Sequence, residues 1–545
     1  MKISVTAYLG LSLCLASVAV AQTAPENESI RQSDLRADLF FLASDAMRGR
    51  LTDMPENRLA AEFIKSRFER MGLEPAGRDG SFYQPYNLAT ATLGEDNRLV
   101  VRNPAESRET ILRPGQDYYP LRFSASGNAR GSLVFAGFGI VSPERSHDDY
   151  RGASVAGKIV MVLAHEPGER DPESPFDGLV TSEASRDIRK ALYAQERGAA
   201  GILFVTDVHN HSGPANFEGA ARNYWPSQQR RVERYTLATW MERVRIPVAQ
   251  ISPALARSLL AGGERTLEQL SESAERSGGV QPVEISGPEI QLTTAVNRHI
   301  VPDRNVVAMI RGSDPSVSDE LIIISAHYDH NGADGTQVFN GADDDGSGTV
   351  ALLEIAEAYA RAAEQGIRPR RTVLFAAWNS EERGLLGAWA YTEDPLFPLD
   401  KTVAVLNMDM VGRNEEVRVG GGRRFRGLEL QTAESNDNAV NILGYSYSPD
   451  LTAAIRAANA GIGLEIKTRY DNNPSNLLRR SDQWPFLQNG VPAVFVHTGL
   501  HPDYHTEFDV PERINYAKME KIARLVHQVS WDLAQGSGRP KFATP

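Results

Sequence analysis

The sequence predicts an α/β protein: a mostly parallel open sheet flanked by helices, with a second, mainly β unit inserted into it. Three observations carry this expectation. Short runs of Ile, Leu, Val and Phe recur at 321–325, 371–377, 402–408 and 492–496. They are too apolar for surface strands and read as strands covered on both faces, as in parallel sheets. Between the first two lies 347–363, apolar at Val350, Leu353, Ala356 and Ala360 with the period of a helix. Strands alternating with helices argue for a parallel sheet with helices on both faces. From 116 to 277 the texture changes to short strands at 132–136, 158–163 and 201–205, with one amphipathic helix at 188–197.

The bounds are consistent with this. A chain of 545 residues is too long for one ordinary domain. The expected division is 1–21 as an export segment, 22–115 as the first part of the main domain, 116–277 as the insert and 278–545 as the rest. Hydrophobic content of 41% with 23% charged residues is that of a globular protein. A formal net charge of −12, with no basic run, argues against nucleic acid or anionic lipid as a partner.

Taken from the N-terminus, Lys2 is followed by an apolar stretch at 5–18 and by the small residues Ala19-Val20-Ala21. This is the pattern of a cleaved secretory signal, too short for a membrane span. It predicts an exported protein, bacterial and periplasmic or extracellular, with no membrane anchor after cleavage. The one cysteine, Cys14, lies inside that segment. Disulfides, thiolate metal ligands and a cysteine nucleophile are thereby excluded from the mature chain. Residues 33–72 read as two helices, the second apolar at Leu59, Phe63, Ile64 and Phe68, with Gly72 as its C-cap.

The chemistry begins at 321–348. An apolar strand delivers His327 and Asp329 on one side, with Tyr328 opposite. A Gly-rich loop then leads to Asp343-Asp344-Asp345 before Gly346-Ser347-Gly348. Three adjacent carboxylates suit either a solvated acidic turn or a cation site. Three further polar groups fall just past later strands: Glu381-Glu382, Asp409 and His505. Each alone has a plain structural explanation, such as an acidic helix start or a strand-end turn. Together they lie on the sheet edge where α/β proteins bind ligands. Imidazoles and carboxylates without thiolates suit Zn²⁺, with Co²⁺ or Mn²⁺ as substitutes. Two histidines and three carboxylates exceed what one open zinc needs, so two ions per chain, bridged by one carboxylate, are expected. A glutamate adjacent to a ligand glutamate could serve as general base. The His209-Asn-His211 pair reads as a polar loop rather than a chelate.

The order His327-x-Asp329, Gly341-Ala-Asp343-Asp-Asp-Gly-Ser-Gly, Glu381-Glu382-x-Gly-Leu-Leu-Gly, Asn407-x-Asp409-Met-x-Gly and Tyr504-His505-Thr resembles the family M28 metallopeptidases, the cocatalytic-zinc aminopeptidases and their relatives. The resemblance covers about 305–516 and implies a zinc-exopeptidase-like fold acting on peptide substrates. It implies that His327 and Asp409 hold one zinc, Glu382 and His505 the other, and that Asp343 bridges them. Glu381 would be the general base, and Asp329 the carboxylate that orients His327. A cis peptide between Asp343 and Asp344 is implied as well. Gln483 departs from the family pattern, where many relatives carry histidine. Asp148-Asp149-Tyr150-Arg-Gly and Ala199-Ala-Gly-Ile-Leu-Phe resemble a protease-associated domain. Aminopeptidase activity is the leading expectation; a carboxypeptidase or cyclising acyltransferase on the same scaffold is the alternative. A receptor-like ectodomain fits less well, because relatives of that kind have lost the ligands.

Overall fold

The computed structural model describes residues 23–103, 108–213, 216–228, 230–276 and 278–544; the expected export segment and Cys14 lie outside them. The described residues build two large sheets and two short two-stranded ribbons. In the ten-stranded one, Thr372–Trp378, Leu321–His327, Thr402–Met408 and Ala493–His497 lie side by side at the centre, all parallel. The long strands Val296–Ile310 and Tyr83–Leu93 extend one side antiparallel, and Ala439–Leu443 with Glu465–Lys467 the other. The architecture is therefore α/β as expected, with a parallel heart and antiparallel flanks.

Alternation along the central strand explains why residues 321–324 are all apolar. Ile322, Ile324 and Ala326 enter one core with the helices Gln32–Leu42, Gly348–Glu364 and Tyr516–Gln535. Leu321 and Ile323 enter a second core with Leu386 and Trp389 of the helix Leu386–Glu393 and with Phe486. A strand covered on both faces has no polar side to show. The helix Pro55–Arg70 buries Ala60, Ala61, Ile64 and Phe68, whereas Leu59, expected on that face, is 49% exposed. Gly72 takes the left-handed conformation (φ 70°) that ends this helix.

The second sheet has eight strands, with Gly127–Phe135, Ile159–Leu163, Gly201–Val205 and Val248–Ile251 parallel at its centre. It extends beyond the 116–277 expected for the insert: Arg98–Asn103, Arg108–Ile111 and Val283–Thr294 are hydrogen-bonded into it. Conversely, Thr236–Leu237 leaves the insert to pair with Tyr83–Leu93 of the main sheet. Val134, Val160 and Ile202 from this sheet join the same core as Leu374 and Trp389, so the two sheets share a continuous apolar contact. Among the described residues no helix is long and apolar enough to cross a membrane.

Candidate metal centre

The four central parallel strands end on one edge, and each delivers a polar group there. Leu321–His327 ends at His327, which is fully buried. Thr372–Trp378 leads into Glu381 and Glu382, Thr402–Met408 into Asp409, and Ala493–His497 into the loop that carries His505. His327 Nε2 lies 3.3 Å from Asp344 Oδ1, 3.6 Å from Asp409 Oδ2 and 3.7 Å from Glu381 Oε2. Glu382 Oε1 lies 2.8 Å from His330 Nδ1 and 3.2 Å from His505 Nε2. Asp344 Oδ2 completes this second group at 2.9 Å from His505 and 3.8 Å from His330. Two donor clusters, His327–Glu381–Asp409 and His330–Asp344–Glu382, thus stand side by side.

Asp344 therefore faces both clusters, and this corrects the expectation for Asp343. The Asp343 carboxylate turns the other way: one oxygen accepts the Gly412 amide at 2.7 Å, and the other lies 3.3 Å from His501 Nε2. The cis peptide likewise falls one residue later, at Asp344–Asp345. The chain from Ala342 to Ser347 is a wide turn in which Asp344 and Asp345 leave helical geometry, so no regular period says which side chain points inward. Its neighbours hold it in place. The Asp509 carboxylate accepts the amides of Asp343 and Asp344, and Asp345 accepts those of His327, Gly348 and Met410. From below, buried Arg50 donates to the carbonyls of Tyr328, Leu42, Asn340 and Gly341.

The Asp329 carboxylate approaches both His327 and the glutamate pair. Its Oδ1 is 3.5 Å from His327 Nδ1, while its two oxygens accept the amides of Glu381 (3.0 Å) and Glu382 (3.3 Å). It orients the glutamate pair at least as much as the histidine, whose Nδ1 is nearer to Asp329's own carbonyl at 3.2 Å. His330 faces Glu382 directly. Asp482 is also at the centre, fully buried, with both oxygens lacking a hydrogen-bond partner. Only its place beside Gln483, in a segment already noted for departing from the family pattern, could have drawn attention to it.

The electrostatics are those of a site short of positive charge. Burial, opposed by His327 and reinforced by Asp409, Glu382 and Asp482, pushes the Glu381 carboxyl well above the carboxylate range. Burial likewise raises Asp345 and Asp482. Against burial, Glu382 and Asp344 raise His505 to about 10. His327 Nε2 and both His330 nitrogens are buried without a directed hydrogen bond. Buried carboxylates converging on unpartnered imidazole nitrogens are the donor set of a divalent transition metal, and these residues fit one.

Residues 305–530 match the sequence model of Peptidase family M28. This region is similar to the M28 peptidases. Over 82% of its length the chain is 27% identical to a probable glutamate carboxypeptidase of Arabidopsis thaliana, covering 59% of that protein. It is 29% identical over 44% of its length to a probable zinc metalloprotease of Leptosphaeria maculans, again covering 59% of it. The chain thus spans about three-fifths of the length of these curated relatives. Among solved structures, an aminopeptidase from Aneurinibacillus sp. aligns over 95% of this chain and 97% of its own, with 18% identity and a TM-score of 0.49. All the residues of both donor clusters lie inside the matched region.

Proposed function

We propose that the chain is an exported, zinc-dependent exopeptidase that removes residues from the N-terminus of peptides, using two metal ions at the edge of the main sheet. The observation that carries this reading is the position of Asp344, with one oxygen towards His327 and the other towards His505 and His330. In this assignment His327 and Asp409 would hold one ion and Glu382 and His505 the other, with the Asp344 carboxylate between the two groups. Bound zinc supplies Lewis acidity and makes water a nucleophile at neutral pH.

The chain's own residues do the rest. Glu381, kept basic by burial and by its acidic neighbours, takes a proton from the attacking water and passes it to the leaving nitrogen. Asp329 keeps both glutamates in place through their amides. Tyr504, stacked on His505 at 3.8 Å and held as a phenol by burial and the nearby Asp344, donates to the carbonyl oxygen as charge develops there. The second sheet, read as a protease-associated domain, walls the cleft and limits substrates to short peptides.

A second reading, carboxypeptidase action, is favoured by one observation. Arg480 lines the same small cleft as Glu381, Asp409 and Tyr504 and could pair with a substrate's terminal carboxylate. The relative with the broader coverage also bears a carboxypeptidase name. The deciding experiment compares kcat/KM for peptides with free ends, a blocked N-terminus and a blocked C-terminus, before and after chelation and zinc return. The aminopeptidase assignment fails if blocking the N-terminus leaves cleavage intact. The metal-dependent assignment fails if the chelated, metal-free protein stays fully active.

A further inference from the structure

Outside the catalytic edge, the second sheet brings together two histidines and a glutamate that the proposed reaction does not use. The strands Ile159–Leu163 and Gly201–Val205 are parallel, with Leu163 beside Val205, so the chain leaves both at the same edge. The first exit loop carries His165 and Glu169; the second carries His211. The imidazoles of His165 and His211 stack with centroids 3.8 Å apart and planes 16° from parallel. Glu169 places Oε2 3.4 Å from His165 Nδ1 and Oε1 2.6 Å from His211 Nε2. His211 Nε2 is buried, and its contact with the carboxylate is not aligned as a hydrogen bond.

The loops are held by contacts that do not depend on any ligand. Lys190 donates to the carbonyls of Leu163 and His165. Asp207 accepts the amides of His209 and Asn210. Glu275 ties one loop to the other, accepting the Gly168 amide at 2.7 Å and Asn210 Nδ2 at 2.6 Å. The three donor atoms lie within 4.8 Å of one another, and all three residues are partly open to solvent, so an ion can reach them.

We propose that His165, Glu169 and His211 form a metal site of their own, separate from the catalytic clusters, that takes a zinc-class divalent ion. Two imidazole nitrogens and one carboxylate with no thiolate select zinc, cobalt or nickel over calcium or magnesium, and a fourth position is left for water. The site has a structural consequence. The loop that begins at His165 and Glu169 runs on to the peptidase domain, where the amides of Leu179 and Thr181 donate to Asn472 and Asn476. Glu183 meets Arg479 there at 3.0 Å, next to Arg480 of the cleft. An ion at the start of this loop ties the insert's edge to the segment that lines the active site.

The test uses the full chain carrying His327→Ala and Asp344→Ala, which disable the catalytic clusters. After zinc loading and gel filtration into metal-free buffer, zinc per chain is measured by elemental analysis, and Co²⁺ is then substituted to record its visible spectrum. About one equivalent is expected to remain and to be lost on adding His211→Ala. Far-UV circular dichroism checks folding. Glu169→Gln, which preserves shape, provides the same comparison if His211→Ala does not fold. In the otherwise native chain, His211→Ala should lower bound zinc by one equivalent while peptide hydrolysis persists. Equal zinc content with and without these substitutions, or no zinc in the catalytically disabled chain, overturns the proposal.

Discussion

Asp343 and Asp344 are consecutive, yet their carboxylates serve different partners: Asp343 Oδ2 lies 3.3 Å from His501 Nε2, and Asp344 Oδ2 lies 2.9 Å from His505 Nε2. Substituting each with Asn separates the two roles. Asp344→Asn should lose bound metal and lower kcat/KM by more than about 10²-fold. Asp343→Asn should cost about 10–100-fold, as is usual for a residue that supports a ligand from behind. Zinc analysis of both variants decides; greater metal loss from Asp343→Asn would restore Asp343 as the bridge.

Glu381 and Glu382 are also adjacent and face different histidines, His327 and His505. Glu381→Gln keeps the side chain's shape but removes the base. Turnover should fall by about 10²–10⁴-fold with zinc content unchanged. Glu382→Gln should lower zinc content instead. Parallel metal analysis and steady-state kinetics test the pair, and the reverse pattern would exchange their roles.

Burial, then repulsion from Glu357, raises the Glu354 carboxyl to about 7, only partly offset by Arg67. A carboxyl whose folded pKa exceeds its unfolded value stabilises the fold below the unfolded pKa, and that contribution is lost as pH rises through the folded one. Glu354→Gln should therefore match the parent near pH 4 and become the more stable protein above about pH 7, by up to about 3 kcal/mol. Melting temperatures of parent and variant across this window provide the check. A constant difference would show that Glu354 does not titrate there.

Arg50 is 1% exposed and satisfies four backbone carbonyls, among them Asn340 and Gly341 just before the acidic turn. Arg50→Met leaves these carbonyls without their donor in a buried place. It should destabilise the protein by more than about 3 kcal/mol and weaken zinc binding as the turn loosens. Calorimetry and zinc titration would show both effects; a variant with unchanged stability would mean that water replaces the guanidinium.

Much of this is legible in the sequence alone. The runs at 321–324 and 403–406 are apolar at every position because both faces of the sheet are covered, and the structure gives each face its own core. The positions of His327, Glu381, Glu382 and Asp409 followed because a strand's end is set by where its apolar run stops. Leu59 was misplaced because a helix's period does not say how wide its buried stripe is; Ala60 and Ala61 fill it instead. The second sheet reaches past 116–277 because Arg98–Asn103 pairs with Val283–Thr294 across a long stretch of chain, and pairing at that separation leaves no local pattern.

What the sequence determined by itself is therefore the α/β class, the edge on which the chemistry gathers and the kind of ligand atoms gathered there. These follow from apolar periodicity and residue chemistry, which are local properties. Only the tertiary structure decided that Asp344 rather than Asp343 faces both clusters, that His330 confronts Glu382, and that His165 and His211 meet. In each case the residue lies past the end of a regular element. There the backbone has no repeat, and side-chain direction is set by distant partners such as Asp509, Arg50 and Glu275.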